Sequence, residues 1–148
     1  MTATEAELKQ RVKSILLANR EKGYSRLAKT SFDFIKPAAK RYPFQYFWDT
    51  CLHVLMLCEV GEVNLAKKQM ISLFRLQEPN GFIGHMIFWR KFTWLLSSKL
   101  EDVLQTKPTL KRVRPHMSAL MQPSLIAMAV KRIYETDKDE EFLCKVVP

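Results

Sequence analysis

No stretch of this chain approaches the ~18 consecutive apolar residues that a bilayer span needs, so no transmembrane helix is expected. The opening residues, MTATEAELKQRVK, carry mixed charge where a secretory leader would carry an apolar core, and a cytoplasmic address follows. Cysteine is scarce, with only Cys51, Cys58 and Cys144 in 148 residues. On a helix, Cys51 and Cys58 would stand about 10 Å apart, beyond disulfide reach. There is no CxxC pair and no Cys/His set at metal-ligand spacing, so neither a disulfide framework nor a metal site is expected. Alternating apolar and polar runs with hairpin punctuation are also missing, as is any repeat of the tetratricopeptide kind. These absences point away from sheets and solenoids and towards an all-α fold.

What is present is helical patterning. The chain is 47% hydrophobic and 26% charged, which suits one soluble helical domain over residues 1–148. Thr4 and Glu7 have the spacing of a capping box. Leu8, Val12, Ile15 and Leu16 then mark one face of a helix for which Gly23 is the expected stop. Pro37 and Pro43 bracket a segment that cannot be one uninterrupted helix. The run TCLHVLMLCEV is apolar nearly all round, as in a buried helix, with Asp49 or Thr50 as its expected N-cap. GEVN breaks it, and LAKKQMISLFRLQ begins another helix with Leu65, Met70, Leu73, Phe74 and Gln77 on one side. EPNG has turn chemistry. Pro123 suits the first turn of a further helix, with Leu125, Ile126, Ala129, Val130 and Ile133 facing inward. DKDEEFLCKVVP begins a last short one.

The formal net charge is +9, which favours an anionic partner. Much of the excess falls in a basic, loop-rich section over 90–121, where Arg90, Lys91, Lys99, Lys107, Lys111, Arg112 and Arg114 face only Glu101 and Asp102. Such a cluster gains affinity for nucleic acid by counterion release. No helix-turn-helix or RNA-recognition signature accompanies it, aromatics interleave only at Phe92 and Trp94, and no nucleic-acid partner is expected. His116, in the same section, reads as surface. His53, inside the apolar helix, reads as a core histidine.

Between these landmarks lies YPFQYFWDTCLH, residues 42–53, in which Tyr42, Phe44, Tyr46, Phe47 and Trp48 precede Asp49. Rings packed this densely suit a core, which is the simpler account on composition alone. They also suit a carbohydrate site: the C–H faces of a pyranose stack on aromatic rings, and its hydroxyls need rigidly held donors and acceptors. Gln45, Asp49, His53, His85 and Gln122 are the polar candidates.

Three blocks in order, YPFQYFWDTCLH, LAKKQMISLFRLQEPNGFIGHMIFW and QPSLIAMAVKRIYETDKDEEFL, resemble the N-terminal third of the mannosylglycerate hydrolase-like glycoside hydrolases, relatives of processing α-glucosidase I. That family has corresponding Tyr-Pro-x-Gln-Trp-x-Trp-Asp, Asn-Gly-x-Ile-Pro-His-Met and Thr-Gln-Pro-Pro blocks. The resemblance implies helical hairpins from the N-terminal part of an (α/α)6 toroid, no cofactor, and a carbohydrate ligand. By position, Tyr42, Gln45, Tyr46, Trp48, Asp49, His85 and Gln122 would line the sugar pocket, with Trp89 at its rim. Asp49 would bind hydroxyls and transfer no proton.

The chain departs from the family pattern at Tyr46, where tryptophan is usual, and at Gly84 and Ser124, where proline is usual. Met121 replaces a threonine. Inverting hydrolysis needs two carboxyl groups roughly 6.5–9.5 Å apart, and the family's pair falls later than the residues present here. The expectation is therefore the sugar-binding part of an α-glycoside hydrolase, inactive alone, with no catalytic residue assigned. The basic section would form an anion-accepting lip if the substrate carries a carboxylate. Apolar helix faces left open would favour self-association. The alternative is a non-enzymatic basic helical module that binds an anionic partner.

Overall fold

The computed structural model describes residues 4–90, 112–114 and 116–147. The cations Lys91, Lys99, Lys107 and Lys111, the aromatics Phe92 and Trp94, and Glu101 and Asp102 lie outside the described residues. The described residues contain five helices and two small antiparallel sheets, so the all-α expectation is met only in part: helices make up just under half of the described residues and strands join them.

Helix α1 (Glu5–Ala18) has its capping box, with the Thr4 hydroxyl accepting from the Glu7 N–H and the Glu7 carboxylate accepting from the Thr4 N–H at 2.8 Å. Its expected apolar face is mostly in solvent: Leu8 is 57% and Ile15 61% exposed, and only Leu16 is buried. The helix leans on the core through Leu16 and Val12 near its C-terminal end. It stops at Ala18, capped by Asn19, five residues before Gly23.

Gly23 lies instead within strand β1 (Arg20–Ser25), which pairs antiparallel with β2 (Thr30–Ile35). The hairpin turns through residues 26–29, where the Ser25 hydroxyl accepts from the Ala28 N–H and Lys29 takes a left-handed φ of 53°. Gly23 sits opposite Phe32, and a Cβ there would approach the Phe32 ring to 3.2 Å. Strand β2 buries Phe32, Phe34 and Ile35, and the bidentate pair of Arg20 with Asp33 clamps the hairpin across its strands.

After the Pro37–Pro43 segment, which is not helical, strand β3 (Gln45–Tyr46) leads directly into helix α2 (Phe47–Glu59). Gly61, at φ 77°, turns the chain into α3 (Val63–Phe74). The two helices pack against each other and against α4 (Ile126–Asp137), which buries Ala129, Val130 and Ile133 as expected. Helix α4 begins three residues after Pro123, so that proline precedes the first turn. A short α5 (Glu140–Val146) is capped by Asp139 and tied to α3 by Lys67, which pairs with both Asp137 and Asp139. Leu57, Ala66, Met70 and Ile133 are among the fully buried centre of this helical layer.

The second sheet joins distant segments. Strand β3 pairs with β4 (Met86–Ile87), β4 with β6 (Met117–Ser118), and β6 with β5 (Arg112–Arg114). The expected EPNG turn precedes β4, with Gly81 at φ 85° and the Asn80 side chain accepting from the Phe82 N–H. Phe32, Phe34, Phe47, Leu73, Ile87 and Trp89 form a second core between the hairpin, α3 and this sheet.

Candidate functional site

A helix exposes unpaired N–H groups at its first turn, and these need acceptors. At α2 neither Asp49 nor Thr50 is the N-cap. Tyr46 is the N-cap without a side-chain bond, Asp49 is the third helical residue, and the buried Thr50 hydroxyl has no hydrogen-bond partner. The acceptors come from elsewhere in the chain. The Phe47 N–H donates to the His85 carbonyl at 3.0 Å, and the Trp48 N–H donates to the Gln122 side-chain oxygen at 2.8 Å. This tertiary cap draws the three sequence blocks to one place.

Around it, Tyr42 and Tyr46 meet edge-on at 5.8 Å between ring centroids. Tyr42 is 42% and Trp48 37% exposed, so both present ring surface to solvent. Burial, and then the Asp49 carboxylate beside it, push the Tyr46 phenol far above its usual range, so it remains a neutral donor. Burial likewise raises the Asp49 carboxyl, partly offset by a bond from its own N–H, and no cation among the described residues is paired with it. Tyr42, Tyr46, Trp48, Asp49, His85 and Gln122 thus gather at the start of α2.

Gln45 and Trp89 are placed differently. Gln45 is fully buried, and its side-chain oxygen accepts from the Trp89 indole N–H at 2.8 Å. Its amide donates to the Gln69 carbonyl at 3.3 Å. The Trp89 ring is 3% exposed and stacks on Phe32 at 5.0 Å. One edge of it reaches a cleft of about 570 Å³ whose wall carries Lys36, Lys40 and Arg90. The Glu21 carboxylate bridges Lys36 and Arg90 there, at 3.3 Å to each. Gln45 and Trp89 therefore brace the floor beneath the gathered residues and do not face solvent with them.

Two supporting residues carry no motif. Gln69 accepts from the Ile35 N–H at 2.7 Å and donates to the Thr50 carbonyl at 3.3 Å, joining β2, α2 and α3. The signal was a polar residue on the buried stripe of α3, between Leu65 and Leu73. Ser118, with no such signal, meets His85 Nδ1 at 2.8 Å. No group of three metal-ligating side chains occurs among the described residues. Glu59 pairs with Arg132 and Glu62 with Lys13.

Residues 42–148 match the model of the mannosylglycerate hydrolase MGH1-like glycoside hydrolase domain. The chain belongs to this family. It is similar to the mannosylglycerate hydrolase of Thermus thermophilus, at 28% identity over 109 residues, covering 73% of this chain and 25% of the relative. It is also similar to the mannosylglycerate hydrolases MGH1 and MGH2 of Selaginella moellendorffii, each at 25% identity, covering 94% and 92% of this chain. The chain spans about a quarter of the length of these curated relatives. No solved structure matches it significantly.

Proposed function

We propose that this chain is the N-terminal, sugar-binding part of a cytoplasmic α-glycoside hydrolase, its residues 1–148 forming the first helical hairpins of an (α/α)6 toroid. The observation that carries the reading is the tertiary cap of α2, where two backbone N–H groups donate to the His85 carbonyl and the Gln122 side chain and bring these residues beside Tyr42, Trp48 and Asp49. Exposed rings next to a carboxylate, an imidazole and an amide supply both needs of a pyranose: an apolar floor and hydroxyl partners. The substrate class is an α-glycoside, and mannosylglycerate is the specific ligand suggested by the relatives' names.

Asp49 is the one carboxylate in this group, and its role is to accept from sugar hydroxyls. A second carboxyl at the opposed position that inverting hydrolysis requires is not among the residues gathered here. The chain by itself binds without hydrolysing. Purified protein should release no glycerate from mannosylglycerate above background, while saturation-transfer NMR at millimolar ligand should detect contact with the sugar ring protons. Asp49→Asn should weaken that contact. Unchanged contact in a folded Asp49→Asn protein, or turnover abolished by one carboxylate substitution within this chain, would overturn the reading.

A further inference from the structure

His85 is a half-buried histidine just before strand β4. Its Nδ1 meets the Ser118 hydroxyl at 2.8 Å. Ser118 is completely buried, and its oxygen already accepts from the Met86 N–H at 3.1 Å. The hydroxyl proton therefore needs an acceptor, and Nδ1 is the one within reach. Were Nδ1 to carry a proton, the two hydrogens would oppose each other or the serine proton would be stranded in a dry interior. A buried polar hydrogen without a partner is strongly disfavoured.

Backbone packing holds this contact in place. The His85 N–H donates to the Leu120 carbonyl at 2.7 Å, and Ile87 pairs with Met117 one step along the same ladder. A Cβ on Gly84 would collide with the Ser118 carbonyl oxygen and stand 3.1 Å from the Met117 Cβ, so glycine permits the close approach. Burial also lowers the His85 pKa, outweighing the Leu120 carbonyl, which favours the charged ring. The ring is thus neutral at physiological pH.

We propose that Ser118 is a positioning residue that locks His85 in the Nε2–H tautomer, making it a fixed hydrogen-bond donor to the ligand. The ligand atom that meets it must then be an acceptor, such as a sugar hydroxyl or ring oxygen presenting a lone pair. The tautomer follows from the protein's own hydrogen bonds, whereas the ligand contact rests on the sugar-binding reading above.

Long-range ¹H–¹⁵N correlation spectra of the labelled full chain test both parts. Three histidines are present, and a His85→Gln sample identifies the His85 signals by their loss. At pH 7.5, Nδ1 of His85 should resonate as an unprotonated nitrogen and Nε2 as a protonated one. Ser118→Ala should shift the two nitrogens towards each other as the tautomers mix, and Ser118→Thr, which keeps the hydroxyl, should restore the separation. A protonated Nδ1 in the unsubstituted protein overturns the tautomer, and this spectrum decides even if Ser118→Ala fails to fold. Mannosylglycerate should then shift Nε2 selectively. An Nε2–H tautomer left unmoved by saturating sugar would retain the positioning role of Ser118 and overturn the donor role towards carbohydrate.

Discussion

Asp49 carries two opposed electrostatic effects at the level of one residue. It lies in the first turn of α2, where negative charge gains about 0.3–1 kcal/mol from the helix dipole, yet burial raises its pKa. The two effects oppose each other, so Asp49→Asn should change the melting temperature by no more than a couple of degrees. Its raised pKa means that folding favours the protonated form, so this group's contribution to stability improves as pH falls through its folded pKa. In a longer chain that hydrolyses sugar, Asp49→Asn should melt normally and lose activity. Normal activity with a markedly lower melting temperature would make the carboxylate architectural.

His53 behaves in the opposite sense. Burial takes its pKa from 6.5 down to about 4, and its Nδ1 has no hydrogen-bond partner. The unfolded chain therefore binds a proton that the folded chain refuses between these values. Stability is greatest above pH 6.5, falls as pH drops towards 4, and levels off below, with a total loss of about 3 kcal/mol from this group. Urea unfolding at pH 7, 5.5 and 4 should show the decline, and His53→Leu should flatten it. A variant with the same slope as the parent would place the titration elsewhere.

Among the elements, α2 is held by acceptors from two remote segments and α1 by its own local cap. Gln122→Ala removes the acceptor for the Trp48 N–H and should cost about 1 kcal/mol of global stability, seen as a lower denaturation midpoint. Thr4→Ala should cost a similar amount to α1 alone. Helix α1 buries only Leu16, and a 14-residue helix is marginal in isolation. Hydrogen exchange should therefore show α1 opening before α2 and α3, with Thr4→Ala accelerating exchange in α1 while leaving α2 unchanged. Uniform acceleration across all three helices would mean that α1 unfolds only with the whole.

Helices α2, α3 and α4 were legible because their apolar residues repeat at helical spacing and face a shared core. The β1–β2 hairpin was not. Strand β1 reads REKGYS, without one aliphatic side chain, because its pairing is written in backbone hydrogen bonds and in charges that bond across the strands. Only Phe32 and Phe34 in β2 hint at alternation. The short strands β3, β4 and β6 are two residues each, too brief for any period to register. The aromatic-acid cluster was legible in type through its resemblance to a family, yet the division between solvent-facing Trp48 and buried Gln45 was not. The burial of Gln45 is decided by partners 24 and 44 residues away.

At the scale of the whole molecule, apolar surface remains open. Trp48, Leu52 and Met56 lie four residues apart along α2, and each is exposed, as are Leu8 and Ile15 on α1. Contiguous apolar surface of this kind drives association. Sedimentation of the isolated chain should show concentration-dependent self-association, and a Leu52→Lys/Met56→Lys double variant should remain monomeric. No helix among the described residues is long and apolar enough to cross a membrane.

Gly84 bears on how this chain and its family can diverge. The family that the sequence blocks resemble has proline as the expected residue at this position, before His85. Here that position has no room for a Cβ beside the Ser118 carbonyl, and its N–H points to the Met117 sulfur at 3.4 Å. Gly84→Pro would meet both obstacles together. Proline at 84 is therefore closed to a single substitution: strand β6 would have to withdraw, and its withdrawal would release His85 from Ser118. Glycine at 84 is therefore demanded by the backbone of strand β6, whatever side chain stands at 118.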